Sequence, residues 1–159
     1  MSSEDIYLTR QGYEKLTEEL ETLKTVQRRK LSKAIAEARA HGDISENAEY
    51  DAAKEAQGQN EGKIAELEFQ LSHARIIEHE DMPRDEILIG AKARLQDLET
   101  QEELEYTFVS EIEADYSQSK ISVTSPIGRA LLGHKEGEIV EINIPAGVLK
   151  YKVLKILRE

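Results

Sequence analysis

The chain has 159 residues, enough for one or two small domains, and its 33% charged and 5% aromatic side chains favour an exposed helical structure beside one modest core. Its net charge of −11 argues against binding to duplex DNA through the overall electrostatic field. Cysteine is absent, which excludes disulfides and thiol chemistry, and no apolar run is long enough to cross a membrane.

The N-terminal half carries apolar residues at helical spacing in two stretches that mirror each other. Thr9 is the predicted N-cap of the first helix, and Gly42 is a natural stop for it. The residue numbers of mirrored positions add up to 87, which is the pattern of an antiparallel helical hairpin. Gln27 and Asn60 obey the same rule, so a polar layer interrupts the apolar seam and can fix its register. The apolar pairs are Tyr13 and Ala74, Leu16 and Leu71, Leu20 and Leu67, Leu23 and Ile64, Leu31 and Ala56, and Ile35 and Ala52.

The spacing of the seam changes within the first helix. Successive steps of four residues lead from Leu23 to Ile35, whereas a coiled coil alternates steps of three and four. Such an interruption predicts local unwinding of the coiled coil. The second helix is predicted to continue to about Ile77.

Alanine is concentrated where both predicted helices approach the turn, within residues 34–40 and 48–56. Small side chains let two backbones approach closely, which would make the tip narrow enough to enter a channel. Alanine is also the best helix former, so the enrichment has two interpretations that the sequence leaves open.

The predicted tip, residues 41–47, contains two acidic side chains, Asp43 and Glu46. In one interpretation Asp43 caps the second helix and Glu46, three residues on, reaches back as in a capping box. In the other, both are ligands of Mg²⁺, which prefers oxygen, keeps several waters and usually shares its ligands with a phosphate. Two carboxylates on a projecting tip would then form half a site that another molecule completes. No spacing in the chain matches a zinc site, and no glycine loop matches a nucleotide cradle.

The first helix also carries the strongest basic run of the chain. No acidic residue interrupts it between Glu21 and Glu37. At about 100° per residue from the seam, Arg29 and Lys33 face away from the partner helix. The run is either a phosphate-contacting patch on an acidic protein or a solvated helix face, which charge runs usually are. Its members are Lys24, Arg28, Arg29, Lys30 and Lys33.

The C-terminal half has a different periodicity. Residues 80–84 are predicted to form a linker, because Pro83 blocks continuation of a helix. Apolar and polar residues then alternate, which predicts short β-strands. Ser125 and Pro126 are predicted to be the N-cap and first residue of a short helix that ends at Gly133. The predicted strands lie near residues 89–95, 104–108, 120–124, 140–144 and 149–153.

Two long motifs resemble the Gre transcript cleavage factors, a family of bacterial transcription elongation factors. The first is Ile-Ala-Glu-Ala-Arg-Ala-His-Gly-Asp-Ile-Ser-Glu-Asn-Ala-Glu-Tyr-Asp-Ala-Ala-Lys-Glu at residues 35–55. The second is Lys-Ile-Ser-Val-Thr-Ser-Pro-Ile-Gly-Arg-Ala-Leu-Leu-Gly at residues 120–133, and residues 8–16, Leu-Thr-Arg-Gln-Gly-Tyr-Glu-Lys-Leu, fit as well. The resemblance covers the whole chain, and its acidic balance is closer to the GreA type of the family than to the more basic GreB type.

The resemblance implies an α+β fold: an antiparallel α-helical coiled-coil hairpin at residues 1–79, a linker at 80–84 and a small β-rich, FKBP-like domain at 85–159. It implies that the hairpin enters the secondary channel of bacterial RNA polymerase and stimulates the polymerase to cleave its backtracked transcript, which rescues arrested complexes. The protein would be a cytoplasmic accessory factor rather than an enzyme. Its partners would be RNA polymerase and the nascent RNA 3′ end. Binding to a membrane, or to DNA in a sequence-specific way, would not be expected.

The resemblance also implies roles for individual residues. Asp43 and Glu46 would be the catalytic residues, completing a second Mg²⁺ site beside the polymerase's own aspartates, so that the ion is held only in the complex. The side chains that would contact RNA are Arg28, Arg29, Lys30, Lys33 and Arg39. The docking surface for the polymerase would comprise Ser125, Pro126, Ile127 and Arg129.

Related proteins define the competing hypothesis, a coiled-coil module that plugs a channel without catalysis. Gre-homologous inhibitors carry a denser cluster of tip acids than this chain, and DksA-type regulators carry zinc-ligating cysteines that are absent here. Family members often carry Arg-Pro where this chain has Arg28 and Arg29, and loss of a proline inside a helix should only straighten it. A free-standing phosphoesterase is disfavoured, because the chain lacks enough ligands for two metals.

Overall fold

The computed structural model describes residues 5–42 and 47–158. The chain forms two compact units. We call residues 13–74 the hairpin unit, and the N-terminal residues up to Gly12 together with the residues from Arg75 onward the sheet unit. Residues 5–12 therefore belong with the C-terminal half of the chain, and the second boundary between the units lies at residue 74.

A two-stranded sheet accounts for this placement of the N-terminal residues. Strand β1 (Ile6–Leu8) pairs with β2 (Ala74–Ile76). Leu8 is fully buried, and its carbonyl oxygen accepts a hydrogen bond of 2.8 Å from the backbone N–H of Ile77. The predicted second helix consequently ends earlier than about Ile77, because residues 74–76 are drawn into β2.

The hairpin unit confirms the predicted antiparallel helices. The first arm comprises α1 (Arg10–Thr22), a π-helical segment (Leu23–Gln27) and α2 (Arg28–Arg39), and the second arm is α3 (Ala48–Ser72). Thr9 caps α1 as predicted, since its hydroxyl oxygen accepts a 3.0 Å hydrogen bond from the backbone N–H of Gly12. Gly42 has φ +106°, the left-handed conformation expected just beyond a helix end.

The predicted seam is the buried face of both arms. Ile35, Ile64 and Leu67 are buried, and most of the other paired positions are half-buried. Ala52 is the exception: it is exposed, whereas its neighbour Ala53 is half-buried. A helix advances 3.6 residues per turn, so a buried face cannot follow steps of four indefinitely. Going from Ala56 toward the start of α3, the next half-buried position is therefore Ala53, three residues away, and not Ala52, four residues away.

The π-helical segment lies where the seam is predicted to unwind. It begins at Leu23 and ends at Gln27, so it spans the first of the four-residue steps. A π turn holds an extra residue and so accommodates a longer repeat. Asn60, only 5% exposed, donates a 3.1 Å hydrogen bond from Nδ2 to the carbonyl oxygen of Leu23. Asn60, one member of the predicted polar layer, thus ties the second arm to the π-helical turn.

The start of α3 corrects one of the two interpretations of the tip acids. The N-cap of this helix is Asn47, whose side-chain oxygen accepts a 3.1 Å hydrogen bond from the backbone N–H of Tyr50. A capping box centred on Asp43 therefore does not begin α3. Asp43 and Glu46 themselves lie outside the described residues.

The sheet unit is built on a five-stranded sheet with the order β5-β4-β3-β7-β6. Strands β4 and β5 are parallel and all other neighbours are antiparallel. Each predicted strand has its counterpart, and the α+β fold class is confirmed. The strands are β3 (Lys92–Asp97), β4 (Glu103–Val109), β5 (Lys120–Ser122), β6 (Ile139–Ile144) and β7 (Gly147–Leu157).

One face of this sheet and a short helix enclose the core. Helix α4 (Pro126–Leu131) begins at the predicted N-cap, Ser125, and buries Leu131 against the sheet. The most deeply buried side chains include Ile87, Leu95, Phe108, Ile121 and Val153. Within the described chain, no helix combines the length and apolar character needed to span a membrane.

The segment predicted as a linker is attached to the end of the sheet unit. Residues His79–Asp81 form a short 3₁₀ helix. Arg84 donates a 2.6 Å hydrogen bond to the carbonyl oxygen of Arg158, and the Arg158 guanidinium contacts the sulfur of Met82 at 3.2 Å.

Candidate functional site

The predicted catalytic residues Asp43 and Glu46 lie outside the described residues, so the structure shows the residues on either side of them. Asn47 is the principal contact between the arms here. Its amide nitrogen donates a 2.6 Å hydrogen bond to the carbonyl oxygen of Ala38, in addition to the cap it forms with Tyr50. One side chain therefore both begins α3 and holds it against the end of α2.

Two further contacts connect the arms beside residues 43–46. The imidazole Nε2 of His41 lies 3.4 Å from a carboxylate oxygen of Glu49. The guanidinium of Arg39 lies 5.8 Å from the centroid of the Tyr50 ring, within range of a cation–π interaction. The end of α2 and the start of α3, which flank residues 43–46 in the sequence, thus contact each other directly.

The donor chemistry at the tip fits a partial Mg²⁺ site. Asp43 and Glu46 offer carboxylate oxygens, the ligand type that Mg²⁺ prefers, but two side chains cannot fill six octahedral positions. Elsewhere, in residues 5–42 and 47–158, no group of three or more histidines, aspartates or glutamates is arranged to hold a metal ion. Any ion held through Asp43 and Glu46 would therefore need ligands from water or from another molecule.

The predicted RNA-contacting side chains on α2 are exposed but not equivalent. Arg28 is engaged by Glu61 of the other arm, with Nη2–Oε1 and Nε–Oε2 distances of 2.8 and 3.0 Å. This paired hydrogen bond raises the pKa of Arg28 and lowers the pKa of Glu61. Lys33 lies 4.0 Å from Glu37, a loose contact between well-exposed groups. We define Arg29, Lys30 and Lys33 as the basic face, because Arg29 and Lys30 form no ion pair with a described residue.

The predicted docking residues form a rigid turn at the start of α4. The hydroxyl of Ser125 donates a 2.6 Å hydrogen bond to the carbonyl oxygen of Ser122 and accepts one of 3.0 Å from the backbone N–H of Gly128. Arg129 donates a 2.9 Å hydrogen bond back to the carbonyl oxygen of Thr124. Gly128 is buried so closely that a Cβ atom would overlap the carbonyl oxygen of Ser122.

Within this turn the predicted docking residues differ in accessibility. Pro126 and Arg129 are exposed, Ser125 is half-buried, and Ile127 is half-buried against the core of the sheet unit. A partner could therefore contact Pro126 and Arg129 directly, while Ser125 and Ile127 hold the turn in shape.

Asn47, the residue that joins the helix ends, was not among the predicted site residues. Its signal was present, because asparagine is a preferred N-cap before a helical stretch. The predicted tip acids belong to the hairpin unit and the docking turn to the sheet unit. The basic face belongs to the hairpin unit, like the tip.

Comparison with known proteins agrees with the motifs at residues 35–55 and 120–133. Family models described as "Transcription elongation factor, N-terminal" and "Transcription elongation factor, GreA/GreB, C-term" match residues 6–76 and 82–158. Similar proteins named transcription elongation factor GreA occur in Chloroherpeton thalassium, 51% identical over 154 residues, and Acetivibrio thermocellus, 48% identical over 155 residues. The alignments cover 97% and 98% of this chain, respectively, and 98% of each relative.

Among solved structures, the GreA factor homolog 1 protein of Thermus thermophilus is 32% identical, with a TM-score of 0.44, and the match covers 96% of this chain and 99% of that one. The family models together span almost all of the chain, and the relatives match it nearly end to end. The chain therefore belongs to the GreA/GreB family of transcription elongation factors.

Proposed function

We propose that this elongation factor enters the secondary channel of bacterial RNA polymerase and stimulates cleavage of the 3′ end of a backtracked transcript, which returns arrested complexes to synthesis. The observation that carries the proposal is the joined end of the hairpin. Asn47 and the contact between His41 and Glu49 fix the helix ends, and the acidic residues Asp43 and Glu46 lie in sequence between them.

The hairpin suits delivery of a small chemical group to a distant position. From Tyr13 to Arg39 the first arm would extend roughly 40 Å at about 1.5 Å per residue. Alanine residues on both arms near the tip have small side chains, which would let the two helices pack closely. A long and slender projection supports insertion into a channel better than broad contact with a surface.

Asp43 and Glu46 would provide the oxygen ligands that complete a Mg²⁺ site together with carboxylates of the polymerase. In two-metal hydrolysis, Mg²⁺ activates the attacking water and stabilises charge on the displaced oxygen. Because this chain supplies only part of such a site, it would stimulate the polymerase's own hydrolysis rather than act as an enzyme. Its place of action would be the cytoplasm, with the polymerase and the transcript.

The other predicted sites would orient the factor. The basic face, Arg29, Lys30 and Lys33, would contact the phosphates of the extruded RNA, and Arg39 would do so closer to the tip. The turn that presents Pro126 and Arg129 would dock on the polymerase. Arg28 is the least available of the predicted RNA contacts, because Glu61 already accepts hydrogen bonds from its Nε and Nη2.

A transcript cleavage assay on stalled elongation complexes tests the proposal directly. We expect Asp43→Ala and Glu46→Ala each to abolish stimulated cleavage while polymerase binding stays close to that of the wild-type chain. Asp51→Ala is the matched control, since Asp51 is an exposed acid one turn into α3 and should leave cleavage unchanged. Wild-type cleavage rates with Asp43→Ala or Glu46→Ala would contradict the assignment of the ligands. Inhibition of synthesis by the wild-type chain without cleavage would favour the competing channel-plugging function.

A further inference from the structure

The sheet unit contains a cavity of about 440 Å³ that the proposed function does not use. Four basic side chains line it: Arg10, His79, Lys92 and Lys120. None of the described residues that line it is acidic, although the whole chain carries a net charge of −11. A cavity lined by charges of one sign focuses the electrostatic field and attracts ligands of the opposite charge. Here those ligands are anions, although the protein as a whole is acidic.

Strand register explains how the two lysines come together. Lys92 on β3 is directly opposite Thr107 on β4, and Thr107 is in turn beside Lys120 on β5. The next residues along these strands, including Phe108 and Ile121, are buried in the core, so the lysine row lies on the other face of the sheet. At about 4.8 Å between strands, the two lysine Cα atoms are about 10 Å apart. Both ammonium groups can therefore reach one phosphate between them.

The charges on this row are largely available to a ligand. Lys120 is half-buried and Arg10 is exposed. Neither side chain has an ion-pair partner among residues 5–42 and 47–158. Lys92 is 3.7 Å from Glu105, but both side chains are more than 40% exposed. Such exposed pairs contribute little and are readily exchanged for a better partner.

A buried arginine adds positive charge behind the cavity wall. Arg158 is only 6% exposed and has no carboxylate partner in the described chain. Its Nη1 lies 3.1 Å from Nδ1 of His79, its Nη2 donates to the carbonyl oxygen of Ile89 at 2.7 Å, and its Nε is buried without a hydrogen bond. A Cβ atom on Gly90 would come within 3.0 Å of the Arg158 guanidinium, so this cation directly backs the wall that His79 and Gly90 form.

The start of α1, at the edge of the cavity, already has its own anion. Glu113 accepts hydrogen bonds from the backbone N–H and the hydroxyl of Thr9, at 2.8 and 2.6 Å. A ligand phosphate would therefore be held by the lysine row and Arg10 rather than by the helix end. Val109 and Leu157 supply apolar lining, and the cavity volume lies within the usual range for small-molecule sites.

We propose that this cavity binds a phosphorylated small molecule of about mononucleotide size, with its phosphate between Lys92 and Lys120 and its remaining part against Val109 and Leu157. The site is assembled across β-strands and not by a glycine loop. It belongs to the sheet unit, and its chemistry differs from that of the tip acids and the basic face of the hairpin unit.

Calorimetric titration of the full chain with inorganic pyrophosphate and with adenosine 5′-diphosphate, without divalent cations, tests this proposal. We expect saturable one-to-one binding, weakened about tenfold or more by Lys120→Gln or Lys92→Gln, since each removes a charge-assisted hydrogen bond. Lys63→Gln is the matched control, because Lys63 is an exposed lysine on α3 far along the chain from this cavity. Tighter binding of the nucleotide would support a contact with the apolar wall, and equal binding would support recognition of the phosphate alone.

The absence of saturable binding by both probes would overturn the proposal, as would equal weakening by Lys63→Gln and Lys120→Gln. Thermal unfolding of each variant checks that the sheet unit is intact. If Lys120→Gln prevents folding, Lys92→Gln decides the question, because Lys92 is exposed and its loss should not disturb the core.

Discussion

The hairpin unit and the sheet unit bury their apolar side chains in different ways. In the hairpin unit a single seam joins two arms, and its central residues Ile64 and Leu67 keep 3% and 9% of their surface exposed. In the sheet unit Leu95, Phe108 and Leu131 are completely inaccessible. Because apolar stabilisation grows with the area removed from water, the hairpin depends more on caps and polar contacts at defined points. We expect it to open locally more readily than the sheet.

Matched leucine truncations should show the largest difference between the units. Leu95→Ala should destabilise the sheet unit by about 3 kcal/mol, because the closed core cannot collapse into the space that the leucine side chain leaves. Leu67→Ala should cost the hairpin unit less, about 2 kcal/mol, because water can reach the seam. Hydrogen exchange should show faster exchange in β3, β4 and β7 for the first variant and only in the helical arms for the second. Equal costs, or exchange that accelerates throughout the chain in both variants, would contradict two separately stabilised units.

Two glycine substitutions should have opposite signs in the two units. Gly128→Ala should destabilise the sheet unit by about 2 kcal/mol, because its Cβ overlaps the carbonyl oxygen of Ser122 and forces the docking turn to move. Gly62→Ala, in the interior of α3 with nothing within 4 Å, should stabilise the hairpin by about 0.5–1 kcal/mol. Chemical denaturation measures both changes. Destabilisation by Gly62→Ala would show that the helix is constrained there by a contact that the fold does not reveal.

Removing the contact that joins the helix ends should loosen the tip alone. Asn47→Ala loses the cap of α3, a cost of about 1 kcal/mol, and also the hydrogen bond to Ala38. We expect faster exchange of the Tyr50 amide and reduced transcript cleavage, with unchanged exchange in the sheet unit. Asn143→Ala, an exposed asparagine on the edge strand β6, serves as the control. An Asn47→Ala chain with wild-type cleavage would show that the tip does not need to be held by this side chain.

Charge reversal on the basic face should have a smaller, salt-dependent effect that is confined to function. Arg29→Glu combined with Lys33→Glu should weaken cleavage of transcripts with long extruded 3′ segments more than short ones, and the difference should shrink as salt rises. Lys54→Glu with Lys63→Glu makes the same charge change on the other arm. Cleavage assays at several salt concentrations distinguish the two pairs. An equal loss for both pairs would indicate a general charge effect instead of an RNA contact.

Local spacing predicted the helices of the hairpin and the strands of the five-stranded sheet, because helix and strand periodicity depend only on neighbouring residues. The mirror between residues 13–35 and 52–74 predicted the hairpin and its polar layer at Asn60, and the interruption after Leu23 predicted the site of the π-helical segment. The end of α3 at Ser72 was missed, since residues 74–76 pair with a strand near residue 7. No pattern within a short window contains that information.

Among the functional residues, too, local patterns could be predicted and contacts between distant segments could not. Asp43 and Glu46 stay predictions carried by the motif, because they lie outside the described residues. Asn47 could have been identified as a helix cap, but its bond to Ala38 depends on how the two arms meet. The lysine row was beyond prediction: Lys92 and Lys120 become neighbours of Thr107 only through the register of three strands.

The smallest expected effect tests whether a charged pair between the arms supplements the thin seam. The hydrogen bonds from Arg28 lower the pKa of Glu61, so the folded state favours the ionised carboxylate. This contribution is present above the unfolded pKa of glutamate, about 4.3, and disappears as the pH falls through the lower folded value. The wild-type chain should therefore melt slightly above Glu61→Gln near neutral pH and low salt, and the two should converge in acid. Glu66→Gln, an exposed acid on α3 without an ion pair in the described chain, should show no such pH dependence. If Glu61→Gln and the wild-type chain melt alike at every pH, the pair between Arg28 and Glu61 adds nothing to the hairpin, and the seam with its polar layer alone sets its stability.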